Sequence, residues 1–491
     1  MTIPLKILFL ASEVEPLVKT GGLADVAGAL PLALHELGCD VRIGLPFYRH
    51  IKEGHFNVEL FLKGITVPVG KLRLTDDVYR MRLNKKIPVY LFNKEEFYDR
   101  NHLYGTPNGG YFDNVERFVY LSRGALEFCL RSGFIPDIIH CNDWHTALVP
   151  VYLKSLYGHE PMLKKTASVL TIHNLAYQGI YPAEEYCVTG LPNALYSPEG
   201  IEFWGYINLL KGGIAFADAI TTVSKKYSHE IQTSEFGFGL EGVLGNRGND
   251  LYGILNGVRY SVWDPAVDPF IAKKYDKSDL SGKAVCKKDL IDTLHMDPTC
   301  VSRPVIAVVG RLIGQKGCEL LEKIFNELMQ MDVGFVLLGE GEQKYNRMFG
   351  TIGREHIGRT GIIIGYNNQL AHKIMAGADI FLVPSRYEPC GLTQMYALRY
   401  GAVPIVRDTG GLSDTIQAFI PETGEGTGFK FTDYSPSSLL DQIRSALELF
   451  KNREVWTRIV RSGMQVDFSW NRSAQEYLEV YRKALEHLPP S

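Results

Sequence analysis

Lys19-Thr20-Gly21-Gly22-Leu23-Ala24-Asp25-Val26 lies between two unlike patterns. Before it, Ile7-Leu8-Phe9-Leu10 is a continuous apolar run that predicts a strand of a buried parallel sheet. After it, Leu23, Val26, Ala27, Leu30, Leu34 and Leu37 recur at helical spacing on one face. Two adjacent glycines therefore stand at a strand-to-helix turn. Glycine lets the backbone approach a ligand closely, and the first amides of a helix, with its dipole, attract an anion. Lys19 adds a mobile cation just before the pair. A second glycine-bearing cluster, Arg386-Tyr387-Glu388-Pro389-Cys390-Gly391-Leu392-Thr393, follows another apolar run far down the chain. The fold is expected to bring the two clusters together across a cleft, around a sugar diphosphate.

Working outward, the first half alternates strand and helix patterns. Strands are expected at Val41–Pro46, Asp137–His140, Ser168–Ile172 and Ala219–Ser224, with helices at 115–130 and 146–157. Short β-like runs over 57–93 read as a hairpin-rich insertion, and 99–113 as a loop rich in Gly, Asn and Pro. A second α/β set has strands near 304–310, 334–338, 361–364, 380–384 and 403–406, with an amphipathic helix over 320–331. These patterns predict an α/β protein of two doubly wound, Rossmann-like domains. The expected division is 1–257, a proline-bearing connection over 258–276, a second domain over 277–471, and a carboxy-terminal helix over 472–491. The 491-residue length accords with more than one core.

Composition excludes several classes. With 45% hydrophobic and 22% charged residues, the chain is an ordinary globular one. A net charge of −3 provides no global field for nucleic acid. The eight cysteines, at 39, 129, 141, 187, 286, 300, 318 and 390, form no CxxC pair and no metal-ligand spacing, and read as reduced thiols of a cytoplasmic protein. No apolar run is long enough to span a membrane, and the amino-terminal run reads as a strand rather than a signal peptide. The phosphate-binding Gly-x-x-x-x-Gly-Lys-Ser/Thr, zinc-binding His-Glu-x-x-His and nucleophile-elbow Gly-x-Ser-x-Gly motifs are absent. So is a dinucleotide Gly-x-Gly-x-x-Gly after the first strand, which argues against a nicotinamide enzyme.

Polar residues follow the carboxyl ends of the strands, where open α/β sheets bind ligands. Arg311 and Lys316, with Gly310, Gly314 and Gly317, suit a diphosphate, and two cations offset charge that grows on a leaving group. Lys316 alone reads equally as solvated surface charge. Glu388 is placed for sugar hydroxyls, with a helix-capping role as its plain alternative, and the amides of Gly391, Leu392 and Thr393 for phosphate. Asp143 and His173 end strands of the first half and can contact hydroxyls, although a strand-end histidine is often structural. Tyr366 is either a stacking platform for a base or an ordinary surface tyrosine.

In collinear order these residues resemble the bacterial glycogen synthase and plant starch synthase family, retaining glucosyltransferases of the GT-B fold. The resemblance is carried by Lys19–Val26, His140-x-Asn142-Asp143-Trp144-His145, Thr171–Gly179, Gly239–Gly242 and Gly253–Val258. It continues through Gly310–Leu312 to Lys316-Gly317, Pro384–Gln394 and Thr409–Leu412. It implies transfer of glucose from ADP-glucose to the non-reducing 4-hydroxyl of an α-1,4-glucan. It implies Lys19, Gly21 and Gly22 at the donor diphosphate, Arg311 and Lys316 on that diphosphate as it leaves, and Glu388 on the donor glucose. It further implies Cys390 to Thr393 at sugar and phosphate, Tyr366 on adenine, Asp143 and His173 on the glucose and acceptor side, and Tyr104 on the acceptor. Asn174 and Asn256 join the substrate-binding set. Cationic side chains take the place of a metal, and no cofactor is implied. A preference for UDP-glucose, or a glucan-binding protein with degraded chemistry, stays open at this point. Two positions depart from the wider pattern. Tyr396 stands where many retaining GT-B enzymes carry a second glutamate, and Arg259 stands where the family commonly has aspartate.

Overall fold

In a computed structural model, which describes residues 4–106 and 109–488, the first apolar run is the strand Lys6–Leu10, with Ile7 through Leu10 fully buried. Burial on both faces is what a near-continuous apolar strand requires. Two compact units form, Met1–Gly257 with Trp470–Ser491, and Val258–Ser469.

Among the described residues, the first unit holds a nine-stranded sheet. Its order is Leu251–Gly253, Ala219–Thr222, Ala167–Ile172, Ile138–Asn142, Lys6–Leu10, Asp40–Pro46, Ile87–Phe92, Leu72–Leu83 and Glu59–Val69. All neighbours from Leu251–Gly253 to Ile87–Phe92 pair in parallel. The chain leaves Lys6–Leu10 toward one side and returns with Ile138–Asn142 on the other. Strand order therefore reverses beside the first strand, and the crevice at such a reversal is where ligands bind.

The runs over 57–93, expected as a hairpin-rich insertion, include a hairpin and continue this sheet. Ile87–Phe92 pairs in parallel with Asp40–Pro46, and the long hairpin Glu59–Val69 and Leu72–Leu83 adds antiparallel strands beyond it. The hairpin's alternation of exposed and buried residues reflects one covered face, packed on the helix Asn114–Ser132. Of the loop expected over 99–113, Pro107 and Asn108 lie outside the described residues.

The second unit carries a six-stranded all-parallel sheet among its described residues. Its order is Thr360–Ile364, Gly334–Gly339, Val305–Val309, Ile380–Val383, Val403–Arg407 and Phe429–Phe431. Strand order reverses at Val305–Val309, whose carboxyl end leads into Gly310–Lys316. The adjacent Ile380–Val383 leads into Pro384–Thr393.

The stretch 258–276, expected as a connection, is a folded part of the second unit. Trp263 stacks on His372 at 3.9 Å and on Tyr396 at 4.2 Å between ring centres. The Tyr275 hydroxyl donates to the Tyr400 carbonyl at 2.7 Å. Aromatic side chains of that size need cover, which a bare linker does not provide. The last helix, Trp470–Glu486, packs in the first unit. The Tyr481 hydroxyl lies 2.6 Å from His140 Nδ1, and Ser473 Oγ donates to the Leu255 carbonyl at 2.6 Å.

Candidate active site

The turn after Lys6–Leu10 is built on Glu13, a residue that no motif in the sequence singles out. Its carboxylate is 3% exposed. It accepts from the Thr20 amide at 2.5 Å, the Thr20 hydroxyl at 2.6 Å, the Gly21 amide at 3.1 Å and the Tyr104 hydroxyl at 2.6 Å. A buried carboxylate is tolerated only when donors surround it, and here they fix the entry to the helix Gly22–Glu36. Its signal in the sequence is an acid inside the otherwise uncharged stretch Ala11-Ser12-Glu13-Val14.

Gly21 has an extended backbone with φ −151°, so the turn itself does not demand glycine. A Cβ on either Gly21 or Gly22 would meet nothing within 4 Å, so the helix start opens onto free space. Lys19, expected as a mobile cation, is paired with Asp25 at 2.6 Å. With side chains 45% and 23% exposed, that pair holds Lys19 only weakly. Lys19, Thr20, His102 and Tyr104 line a cavity of about 720 Å³ within this unit.

Asp143 follows Ile138–Asn142 in a left-handed conformation, φ 53°, which aspartate adopts more readily than most residues. Its buried carboxylate accepts from the His173 amide at 2.8 Å and from the Asn174 amide. Burial pushes its carboxyl up to about 7, against the lowering effect of those two amides. His173 Nε2 lies 2.8 Å from Asn142 Oδ1. An amide oxygen only accepts, so Nε2 carries the proton and Nδ1 keeps its lone pair. Burial lowers His173 to about 3, so the ring is neutral near pH 7. Asn174 accepts from the Ala176 amide at 3.1 Å, an Asx turn that shapes this loop. Tyr104 also meets Ser12 Oγ at 2.8 Å and lies tilted against His145, 4.6 Å between ring centres. Burial, with the Glu13 charge adding, raises its phenol well above the ordinary value. Asn256, at the end of the first segment of this unit, is buried and its Oδ1 has no partner among the described residues.

A pH test follows from Asp143. Its carboxyl pKa is raised in the folded state, so folding takes up a proton between the unfolded value near 4 and about 7. The resulting cost of burying the charge is absent below about 4 and fully present above about 7. Asp143→Asn is therefore expected to stabilise the protein at pH 8 by a few kcal/mol, since each tenfold change in proton affinity is worth about 1.4 kcal/mol. At pH 4 it is expected to give no advantage. Urea unfolding of both proteins at the two pH values measures this.

In the second unit, Arg311 follows Val305–Val309, is exposed, and its guanidinium has no hydrogen-bond or ion-pair partner among the described residues. Lys316 closes a short 3-10 turn, Gly314–Lys316. Its ammonium lies 2.5 Å from Glu388 Oε2, and Ser385 Oγ donates to the same oxygen at 3.0 Å. The sequence assigns Lys316 and Glu388 separate duties and shows neither their pairing nor the part of Ser385. Glu388 is 6% exposed and does not cap a helix; the next helix starts five residues on, at Thr393–Arg399.

The loop between them is held by close backbone packing. The Gly411 amide donates to the carbonyls of Glu388 at 3.0 Å and Pro389 at 3.1 Å. A Cβ on Gly410 would overlap the Glu388 carbonyl oxygen, and one on Gly411 that of Cys390. Gln394 Nε2 donates to the Cys390 and Gly391 carbonyls, each at 3.0 Å. Cys390 is buried and Gly391 is held at φ 71°. Leu392 occupies the position before the next helix, with no side-chain cap. Tyr366 is 82% exposed after Thr360–Ile364, its ring open to a stacking partner.

In the first unit Lys19, Gly21, Glu13 and Tyr104 gather around one turn, and Asp143, His173 and Asn174 around another. In the second, Arg311, Lys316, Glu388 and Cys390–Thr393 stand at the carboxyl ends of adjacent strands. No helix among the described residues is long and apolar enough to cross a membrane.

Comparison with known proteins agrees over the whole length. Residues 6–246 match the starch synthase catalytic domain, and residues 300–462 the glycosyl transferases group 1 family. A glycogen synthase of Koribacter versatilis is 46% identical, with 99% of each chain covered. One of Syntrophotalea carbinolica is 44% identical over 98% of this chain and 99% of its own. The catalytic domain of starch synthase IV from Arabidopsis thaliana, bound to ADP and acarbose, superposes with a TM-score of 0.91 at 33% identity, covering 99% of this chain and 100% of that one. A sucrose-phosphate synthase from Thermosynechococcus elongatus, 17% identical with a TM-score of 0.60 over 97% of this chain and 98% of its own, shares the fold. The chain is a glycosyltransferase of GT-B architecture, and it belongs to the family of glycogen synthases and starch synthases.

Proposed function

We propose that the protein transfers glucose from ADP-glucose to the non-reducing 4-hydroxyl of an α-1,4-glucan, with retention at the anomeric carbon. The observation that carries this reading is the group formed by Lys316, Glu388, Ser385 and the unpaired Arg311 at a strand-order reversal. It offers two cations to a diphosphate and, beside them, a buried carboxylate to sugar hydroxyls. Lys19 and the open helix start at Gly21 and Gly22 are assigned to the same diphosphate, and Tyr366 to adenine. Cys390 to Thr393 contribute backbone to sugar and phosphate. Asp143, His173, Asn174, Asn256 and Tyr104 serve the glucose and acceptor.

The chemistry is a same-face displacement. The bond from glucose C1 to the β-phosphate oxygen lengthens, and negative charge grows on the ADP diphosphate. Arg311 and Lys316 stabilise that charge, the electrostatic effect that dominates many catalysed reactions. The acceptor O4 bonds to C1 from the side the diphosphate leaves, and its proton passes to a diphosphate oxygen. A neutral His173, its proton held on Nε2 by Asn142, accepts one hydrogen bond from a sugar hydroxyl at Nδ1 without competing for the phosphate as a cation. In this reading the side-chain cations carry the leaving-group charge, with no metal ion required.

The experiment is proton NMR of the first product formed from ADP-glucose and maltotriose. The reading requires a new α-1,4 linkage from the first turnover. A β linkage, or free glucose as the sole product, contradicts it.

A further inference from the structure

A small antiparallel sheet stands apart from the main one in the first unit: Ile180–Pro182 pairs with Tyr206–Asn208, which pairs with Glu202–Phe203. The hairpin turn between the last two is Trp204-Gly205, with φ 52° and 82°. Two consecutive left-handed residues make a type I′ turn, for which Asn-Gly or Asp-Gly is the favoured pair. Tryptophan is a poor choice on both local counts. It occupies a left-handed conformation that L-residues with large side chains avoid, and it leaves 82% of its surface in water.

The same arrangement occurs again close by. Phe238-Gly239 has φ 50° and 83°, and Phe238 is 42% exposed. Gly239 lies against the Phe203 ring, where an added Cβ would come within 3.1 Å of it. Tyr206 and Tyr177 are 51% and 55% exposed. Gln178, buried beneath, joins these parts: its Nε2 donates to the Phe238 carbonyl at 3.1 Å, and its Oε1 accepts from Asn208 Nδ2 at 2.6 Å. The patch is continuous with the candidate site, because Tyr177 and Gln178 belong to the loop that begins at His173. Tyr181 lies 6.0 Å from Trp144, the neighbour of Asp143, between ring centres.

We infer that Trp204, with Tyr206, Tyr177 and Phe238, forms a platform for an α-glucan chain beyond the glucose unit that reacts. The chemistry selects this occupant. A pyranose ring presents rows of C–H bonds on its faces, and these are attracted to the electron-rich face of an aromatic ring. The carboxylate of the turn, Glu202, accepts from the Gly205 amide at 2.8 Å and is held along the hairpin. This inference rests on the glucan-elongating reading above.

The test is Trp204→Asn, which installs the residue that this turn favours and so preserves the hairpin. Initial rates with ADP-glucose are measured against glycogen and against maltotriose, and glycogen binding by affinity gel electrophoresis without donor. The variant is expected to raise KM for glycogen about fivefold, roughly 1 kcal/mol at 1.4 kcal/mol per decade. It is expected to weaken gel retardation by a similar factor while kcat and the KM for maltotriose stay unchanged. Trp204→Tyr, which keeps a ring, is expected to restore most of the affinity. Glycogen KM and retardation equal to wild type would overturn the inference, and so would loss of a dimer in light scattering with glycogen binding intact, which assigns the face to a second copy of the chain. If wild type transfers to neither acceptor, the functional reading fails, and the gel alone then decides the platform.

Discussion

Lys316→Ala is expected to lower kcat by roughly two to three orders of magnitude, with the KM for glucan nearly unchanged. The ammonium lies 2.5 Å from Glu388 and is the cation best placed to meet charge developing beside that carboxylate. An opposite charge about 4 Å away is worth about 4 kcal/mol at an effective dielectric near 20, and part of that is replaced by water when the side chain is removed. Because the interaction strengthens only as the diphosphate leaves, its loss falls on kcat rather than on binding. The variant has a second consequence. Glu388 is 6% exposed, so deleting its partner leaves a buried carboxylate with the Ser385 hydroxyl as its side-chain donor. Breaking such a pair from one side is destabilising, by about 3–5 kcal/mol when fully buried. Lys316 is 27% exposed, which places the expected cost below that range. Steady-state rates with ADP-glucose, alongside urea unfolding, separate the two effects. Full activity in Lys316→Ala would remove the lysine from the mechanism.

The second large effect is expected at a residue assigned no contact with substrate. Gly411→Ala places a methyl group against the backbone of Cys390, and the Gly411 amide bonds to Glu388 and Pro389 would stretch or break. Backbone cannot rotate away as a side chain can, so the 388–390 loop must shift. A displacement of about 1 Å at a catalytic group can cost roughly a hundredfold in rate, and overpacking adds about 1–3 kcal/mol of instability. The expected outcome is a folded, less stable protein with kcat down about a hundredfold. Unchanged kcat in a folded Gly411→Ala would show that the loop's position does not set the rate.

What the sequence disclosed was mostly what strand ends disclose. Apolar runs such as Ile7–Leu10 and Ile380–Val383 declare buried parallel strands, and the polar residues after them mark the ligand edge of the sheet. The positions of Asp143, His173, Arg311 and Glu388 after strand ends were legible for that reason. Partnerships were not legible, because they depend on distances across the fold. Lys316 and Glu388 are 72 positions apart and form one ion pair. Glu13 and Tyr104 are 91 apart and share a hydrogen bond that shapes the helix start. The space at Gly21 and Gly22 is open, whereas Gly410 and Gly411, assigned no site role from the sequence, have no room for a side chain. In the 57–93 region the alternating pattern disclosed the strands and hairpin but not which sheet edge they join. The 258–276 stretch misled because its prolines resemble those of a linker, while Trp263 and Tyr275 are anchored in a core.

The most direct measurement of the central claim is nucleotide release from ADP-glucose and UDP-glucose, side by side, with and without glycogen. Glucan-dependent release that is faster for ADP is the predicted result. Release of neither nucleotide in the presence of glycogen would contradict it, and faster release of UDP would overturn the assignment of the donor base.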